Sequence, residues 1–173
     1  MSMRTILRGL LEDRRLLVFR SQFVDGVTPR MMYVTPGIEN VTRGPFGDLP
    51  EDERLAEFAA WLESFVEFGE VTVAEDPHNK PPDVMLARVD PVEDEFWSIR
   101  VTDPDEYPGI RALGAFVAHD EFAALTWDYR ESIADDFDGE VEEVRAQWKA
   151  LFGAVKPFSG GKIDEYLSNA RPI

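Results

Sequence analysis

The sequence predicts one α+β domain over residues 1–173, in which two main amphipathic helices pack on a mostly antiparallel sheet. Three observations lead to this prediction. The 173-residue chain is 44% hydrophobic, with twelve Phe, four Trp and four Tyr, which is typical of a globular protein. Several short segments alternate apolar and polar residues, and two longer segments carry apolar residues at helical spacing. No segment has the composition of a domain linker, and a chain of this length can build one hydrophobic core.

The first predicted strands form an N-terminal hairpin over residues 16–35. Two apolar and aromatic runs, LLVFRSQFV and RMMYVT, are separated by Asp25 and Gly26, a common turn dipeptide. Residues 36–50 are crowded with Pro and Gly, so they predict a loop with a short extended piece near residues 38–42.

The two main helices are predicted over residues 51–68 and 140–152. Asp48 lies three residues before Glu51, the spacing of a capping box, and apolar residues then recur every three to four positions. The second segment repeats this period and ends at a glycine. After it, the sequence predicts a C-terminal helical tail around residues 163–168.

The clearest β pattern is a three-stranded antiparallel meander over residues 96–127. Its strands FWSIRV, GIRALGAFV and EFAALTW are joined by the turn-rich DPDEYPG and by His119-Asp120. Shorter strands are predicted at residues 70–74 and 84–89. Alternation predicts that one face of the meander carries Trp97, Ile99, Val101, Leu113, Ala115, Val117, Leu125 and Trp127.

The net charge of the chain is −16, and it is concentrated in residues 51–140, where 25 acidic residues face six basic ones. Such a charge repels phosphate backbones and anionic lipids, so it disfavours nucleic acid and membranes as partners. Our leading hypothesis is therefore a non-enzymatic interaction module whose acidic surface binds a basic protein. The candidate partner-binding residues are Glu93, Asp94, Glu95, Asp103, Asp105 and Glu106.

No cofactor, metal or catalytic motif is recognisable in the sequence. Cysteine is absent, which excludes disulfides and thiolate chemistry. The N-terminus lacks the apolar stretch of a signal peptide, and no run of residues is long and apolar enough to cross a bilayer. We therefore expect a cytoplasmic protein without cofactor or metal, and the sequence leaves its oligomeric state open.

Six basic residues lie inside the acidic stretch, and they allow two interpretations. They could form ion pairs that offset the repulsion among carboxylates, or some could converge on one face and bind an anion. Strand alternation leaves this open, because Arg100 shares a face with Ser98 whereas Arg111 shares one with Leu113. The six residues are Arg54, Lys80, Arg88, Arg100, Arg111 and Arg130.

The order of FWSIRV, GIRALGAFV, EFAALTW and a helix over residues 96–152 resembles the C-terminal half of RelE/HigB-type ribosome-dependent RNase toxins and their phage-derived relatives. In these proteins a strand ending in arginine precedes a second, basic strand and a third, hydrophobic one. The resemblance implies that Arg100, Arg111 and Arg130 contact phosphate. His119, which Asp120 and Glu121 follow in the sequence, is a candidate acid–base group for such an enzyme. Since those toxins are basic, the charge of −16 favours an inactive fold relative over a working nuclease.

A third hypothesis is a small-ligand binder with a pocket between Trp97, Trp127 and Trp148. Aromatic side chains commonly line ligand pockets, although they also build plain hydrophobic cores. The sequence thus allows three functions: an acidic interaction module, a RelE-like RNase or its inactive relative, and a small-ligand binder.

Overall fold

The computed structural model describes residues 1–102, 109–133 and 136–173, and it places an eight-stranded sheet between two layers of helices. The helices are Met3–Glu12 (α1), Pro36–Thr42 (α2), Pro50–Val66 (α3), Arg130–Ile133 (α4), Phe137–Phe152 (α5) and Ile163–Tyr166 (α6). The strands are Leu17–Val18 (β1), Met31–Val34 (β2), Val71–Ala74 (β3), Leu86–Arg88 (β4), Phe96–Val101 (β5), Ile110–Ala118 (β6), Glu121–Tyr129 (β7) and Ala170–Pro172 (β8). A short 3₁₀-helix spans Val92–Asp94.

The strand order is β1-β2-β7-β6-β5-β4-β3-β8. The pairs β1–β2, β4–β5, β5–β6 and β6–β7 are antiparallel, whereas β2–β7, β3–β4 and β3–β8 are parallel. The α+β class is thus confirmed, with a mixed sheet. Within the described ranges, no helix is long and apolar enough to span a membrane.

The predicted meander is present as β5, β6 and β7, and the two main helices lie within a few residues of their expected limits. The strands of the predicted hairpin also pair, with Leu17 opposite Val34. The connection between them is longer than a tight turn, since the paired residues end at Val18 and resume at Met31.

Residues 36–42 form a helix, so the expected loop with an extended piece at residues 38–42 is wrong. The Thr35 hydroxyl accepts a hydrogen bond from the Ile38 N–H at 3.4 Å, and Pro36 occupies the first turn, where its missing N–H costs little. Ile38 is fully buried in the core. A capping threonine and one buried apolar side chain therefore override the turn preference of Pro and Gly.

Helix α1 and strand β8 are among the elements that the sequence analysis did not predict. Ser2 caps the N-terminus of α1, since its hydroxyl accepts a hydrogen bond from the Thr5 N–H, and the helix buries Leu7 and Leu10. Strand β8 pairs in parallel with β3, which places the C-terminal residues at one edge of the sheet. Three residues including a proline give no strand signal by themselves.

The sheet separates two hydrophobic clusters. The first lies on the side of α2 and α3 and contains Trp97, Ile99 and Val101. The second lies on the side of α1 and α5 and contains Leu113 and Leu125. The predicted common face for these residues is wrong, because β5 pairs with β6 in a register that sets Ile99 opposite Ala112. In addition, a register shift in β7 places Leu125 and Trp127 on opposite sides of the sheet.

A buried arginine joins the end of α3 to the C-terminal segment. Arg30 is fully buried and donates hydrogen bonds to the carbonyl oxygens of Phe65 at 3.0 Å, Gly69 at 2.8 Å and Ser168 at 2.5 Å. Burial lowers the pKa of Arg30, and the nearby Asp120 carboxylate opposes this effect. Carbonyls at the end of a helix favour a cation, so Arg30 satisfies them and anchors the C-terminal residues.

The glycine at the β6–β7 register shift is expected to resist substitution. A Cβ atom at Gly114 would lie 1.9 Å from the Ala123 carbonyl oxygen, so the Gly114→Ala variant should lose about 2–3 kcal/mol of unfolding free energy. Gly9 provides the matched control, since a Cβ there meets nothing within 4 Å inside α1. The Gly9→Ala variant should gain about 0.5–1 kcal/mol. Urea denaturation measures both, and equal stability of the two variants would contradict this account of the register shift.

Candidate anion-binding site

The register of β5 against β6 brings two arginines together. Arg100 lies directly opposite Arg111, and residues opposite one another in an antiparallel pair project from the same face of the sheet. Strand alternation alone does not tell whether Arg100 and Arg111 share a face, and the register shows that they do. Like charges at opposite positions repel, so this pair costs stability unless an anion lies nearby.

The two guanidinium groups are held by backbone carbonyls. Arg100 donates from Nη1 to the Pro81 carbonyl oxygen at 3.0 Å. Arg111 donates from Nη1 to the carbonyl oxygens of Ile110 at 3.0 Å and Val101 at 3.4 Å. Because a guanidinium carries several N–H donors in a fixed fork, these bonds orient both groups and leave donors for another acceptor.

Two further cations lie close to this pair. Arg130 is the first residue of α4, and its backbone N–H donates to the Gly109 carbonyl oxygen at 2.8 Å, just before β6. Lys80 belongs to the loop between β3 and β4, and its Nζ lies 5.8 Å from the centre of the Phe137 ring. We call Lys80, Arg100, Arg111 and Arg130 the cationic cluster.

Burial and mutual repulsion lower the pKa of three of these groups, Lys80, Arg100 and Arg111. Burial lowers the pKa of Lys80 most, and Arg100, Arg111 and Arg130 lower it further. Burial, followed by Arg100 and Arg130, lowers the pKa of Arg111 to about 10. The pKa of Arg100 is lowered by burial and by Arg130, and Asp83 partly offsets this. In the described part of the chain, no carboxylate lies within ion-pair distance of any member of the cluster.

A cavity of about 720 Å³ lies beside Arg100 and Arg111. Its remaining walls come from α3, from the segment before β4 and from the end of β5. They combine apolar and polar side chains, namely Glu57, Ala60, Trp61, Pro82, Asp83, Met85, Val101 and Thr102. This volume lies in the range of small-molecule sites, which are mostly apolar with a few polar groups that fix the ligand.

Trp61 contributes part of an aromatic ring to this wall. The side chain is buried, with 7% exposure, and its ring stacks on Phe65 at a centroid distance of 5.7 Å. The indole Nε1 has no hydrogen-bond partner among the residues that the structure describes. The Nε1 atom has almost no accessible surface, so it faces the protein interior and the ring alone contributes to the cavity wall.

His119 lies far from the cationic cluster. It follows β6 at the end opposite Arg111, and eight residues of strand correspond to roughly 26 Å. Its Nδ1 lies 2.9 Å from the Glu165 carbonyl oxygen, and its Nε2 lies 2.9 Å from the Ser168 hydroxyl. The structure thus brings Arg100, Arg111 and Arg130 together and places His119 against the C-terminal segment.

The three candidate tryptophans do not share a pocket. Trp97 is fully buried in the cluster on the α3 side, and Trp127 packs against that same cluster. Trp148 lies across the sheet, where it contacts Phe96 and Phe152. The sheet therefore separates Trp148 from the other two rings.

Two of the described acidic candidates are engaged within the chain. Asp94 forms an ion pair with Arg145. Glu95 pairs with Arg88 at 2.6 Å and accepts hydrogen bonds from the hydroxyl groups of Tyr166 and Ser159. Glu93 is exposed. Asp103, Asp105 and Glu106 lie outside the described residues.

No protein-family model, curated protein or solved structure matches this chain. The RelE/HigB resemblance therefore stays a prediction from the sequence. Over the described ranges, no group of three or more histidine, aspartate or glutamate side chains is arranged to hold a metal ion.

The sequence did not indicate that Trp61 belongs to this site. Trp61 reads in the sequence as part of the wide apolar face of α3, and only its position beside Arg100 and Arg111 connects it with the cavity. The signal for the cluster itself was present, because basic residues are rare in an acidic stretch. Their convergence depends on strand register and on the path of the loop that carries Lys80.

The cationic cluster should make stability depend on pH on the alkaline side. Because the folded-state pKa of Lys80 lies below its unfolded value near 10.4, the charged ammonium destabilises the fold at neutral pH. The Lys80→Met variant should therefore be more stable than the parent chain by about 0.5 kcal/mol at pH 7. This gain should shrink as pH rises toward 10.4 and Lys80 loses its proton.

Urea denaturation at low ionic strength, in a buffer free of multivalent anions, measures this difference between pH 7 and pH 10. The exposed Lys149→Met is the control, since Lys149 lies on α5 outside the cluster. Its effect should stay below about 0.5 kcal/mol. A Lys80→Met variant that loses stability at pH 7, or a gain that grows with pH, would show that Lys80 is not under repulsion.

Proposed function

We propose that this protein binds a small anionic molecule at the cationic cluster and its adjacent cavity. The observation that carries the proposal is the contrast among the six basic residues of the acidic stretch. Arg54 pairs with Glu131 at 2.8 Å and Arg88 pairs with Glu95 at 2.6 Å, as expected where carboxylates are abundant. Within the described ranges, the other four basic residues have no such partner and lie next to one another.

The energetics of the cluster support an external anion. Four cations in a partly buried site repel one another, and desolvation adds to this cost, as the lowered pKa values of Lys80, Arg100 and Arg111 reflect. An anion would remove the repulsion and accept charge-assisted hydrogen bonds, which are about twice as strong as neutral ones. Ligand binding would therefore recover free energy that the unliganded fold lacks.

The size and surroundings of the site favour a small molecule over a polymer. The cavity has a volume of about 720 Å³, which suits a small molecule. The net charge of −16 on the whole chain repels an extended phosphate backbone. A compact anion meets the local positive field without approaching the acidic surface elsewhere. Specific binding thus requires only the few cations that the cluster supplies.

Calorimetric titration with inorganic phosphate, pyrophosphate and citrate tests this function. We expect saturable binding of at least one of these anions, and a loss of about tenfold or more in affinity for Arg111→Gln or Arg100→Gln, because each removes a charged hydrogen-bond donor. The matched control is Arg43→Gln, which removes the same charge from an exposed arginine paired with Glu39. An equal loss of anion affinity in Arg43→Gln would show that the effect reflects only the net charge of the protein, and it would contradict the proposal.

A second variant tests whether the cluster serves the acidic residues of the chain itself. Asp103, Asp105 and Glu106 follow Thr102, which lines the cavity, in the sequence. The same titration on D103N/D105N/E106Q should give an unchanged affinity for the anion. A tenfold or greater increase would indicate that these carboxylates occupy the cluster, and the proposal of an external ligand would fail.

Cleavage of RNA on the ribosome is the second candidate function. Arg100, Arg111 and Arg130, the three residues that the RelE/HigB resemblance implies for phosphate contact, do lie together, which favours it. The distance of His119 from them argues against its acid–base role at the same phosphate. Growth arrest with mRNA cleavage on expression, lost in Arg111→Gln, would support this candidate, and normal growth would oppose it.

Binding of a basic protein through the acidic surface stays a prediction from the charge. Asp94 and Glu95 already pair within the chain, so Glu93 and the residues of 103–106 would have to supply the contacts. A pull-down with D103N/D105N/E106Q and with Glu93→Gln tests this hypothesis. If both variants capture the same basic proteins as the parent chain, the hypothesis is rejected.

A further inference from the structure

We infer that Lys80 is a nucleophile that forms an imine with an anionic carbonyl compound held by the arginines of the cationic cluster. This inference rests on the proposed anion-binding function, and it specifies the class of ligand and the reaction at that site. Arginine alone would suffice to hold an anion, because it stays charged at neutral pH. Lysine can also lose its proton and react with a carbonyl carbon, so a lysine among arginines adds chemistry that anion binding by itself does not require.

The loop that carries Lys80 is bonded directly to the cluster. The carbonyl oxygen of Pro81, the next residue, accepts a hydrogen bond from Arg100 Nη1 at 3.0 Å. The Lys80 side chain is partly buried, and its Nζ lies 5.8 Å from the centre of the Phe137 ring in α5. Unlike the Trp61 Nε1, the Lys80 Nζ is not among the fully buried polar atoms without a partner, so a bound molecule can reach it.

The charges around Lys80 favour its neutral amine. Burial lowers the pKa of Lys80 most, and the three arginines of the cluster lower it further. Asp76, on the same loop, has the opposite effect and the smallest one. Within the described ranges, no carboxylate lies close enough to form an ion pair with Lys80. Because an amine attacks a carbonyl carbon only after it loses its proton, this environment increases the reactive fraction at neutral pH.

Arginine and lysine would contact different parts of such a ligand. Arg100 and Arg111 occupy directly opposite positions on one face of the sheet, so a carboxylate or phosphate can accept hydrogen bonds from both. A carbonyl group next to this anionic group then comes within reach of Lys80. Burial, the largest cause of the low pKa of Lys80, remains when the anion binds, so part of the amine stays neutral in the complex.

The reaction is a condensation that needs no oxidant or reductant. The Lys80 Nζ lone pair attacks the carbonyl carbon, and the carbonyl oxygen takes up a proton to give a carbinolamine. Both amine protons then leave with this oxygen as water, and a carbon–nitrogen double bond replaces the carbon–oxygen double bond. The anionic group of the ligand stays at the arginines and offsets the charge of the protonated imine.

Reductive trapping with sodium cyanoborohydride at pH 7 tests the reaction. The reagent converts an imine into a stable secondary amine, which peptide mass spectrometry assigns to individual lysines. The probes are pyruvate, an anionic ketone, and acetone, a neutral one. We expect pyruvate to modify Lys80 about tenfold or more faster than Lys149, Lys156 and Lys162, which are exposed and lie outside the cluster. With acetone this preference should be smaller by about threefold or more, because no anionic group holds acetone at the arginines.

A variant shows whether the arginines hold the reacting molecule. Arg111→Gln removes a donor for the carboxylate and part of the repulsion on Lys80, so pyruvate should modify Lys80 about fivefold or more slowly, with Lys149 unchanged. The matched control is Arg43→Gln, which should leave the modification of Lys80 unchanged because this exposed arginine pairs with Glu39. Circular dichroism confirms folding, and Arg130→Gln repeats the test if Arg111→Gln does not fold.

Trapping and calorimetry together separate this inference from the proposed function. Equal modification of Lys80 and the exposed lysines by pyruvate would overturn the inference, and calorimetric binding of phosphate, pyrophosphate or citrate would still support the anion site. An equal preference for Lys80 with pyruvate and with acetone would also overturn the inference, since the reaction would then not depend on a bound anion. Failure of both anion binding and the preference for Lys80 would overturn the inference and the proposed function.

Discussion

The hydrogen-bond register between β5 and β6 controls both the packing of the core below α3 and the position of the arginine pair. Setting Ile99 opposite Ala112 sends the odd-numbered residues of β5 and the even-numbered residues at the start of β6 into the core below α3. The same register sets Arg100 opposite Arg111. A shift of one residue would exchange the two faces of the sheet and separate these arginines. Core packing therefore fixes the arginine pair, although the pair itself is repulsive.

The basic residues of this protein differ in the partners that offset their charge. Arg4, Arg54, Arg88 and Arg145 each meet a carboxylate, as a chain with 34 acidic residues allows. Arg30 is satisfied differently, by three backbone carbonyls at the end of α3 and in the C-terminal segment. The cationic cluster differs from both groups, because its described surroundings supply carbonyls and an aromatic ring but no ion pair. This difference is the physical basis for proposing a ligand at the cluster and a structural role for the other arginines.

The arginine pair of the site could be predicted in part from the sequence, because the strands that carry it have clear patterns. Arg100 lies near the end of β5 and Arg111 near the start of β6, within an acidic stretch. The sequence analysis therefore included the hypothesis that basic residues of this stretch converge on an anion. The part played by Trp61 could not be predicted, since apolar periodicity gives a residue the same signal whether it faces a core or a cavity. The hypothesis of a pocket between Trp97, Trp127 and Trp148 rested on residue type alone, and the sheet separates Trp148 from the other two rings.

The α+β class, the meander and the two main helices can be derived from the sequence alone, because each rests on a periodic run of apolar residues long enough to outweigh local preferences. The sequence also determined the strong negative charge and the rarity of cations within residues 51–140. Only tertiary contacts produce the parallel pairings, strand β8, the face that each strand residue occupies and the gathering of Lys80 with three arginines. These features depend on contacts between residues far apart in the chain, and one bulge or one change of register reverses them without altering any local pattern.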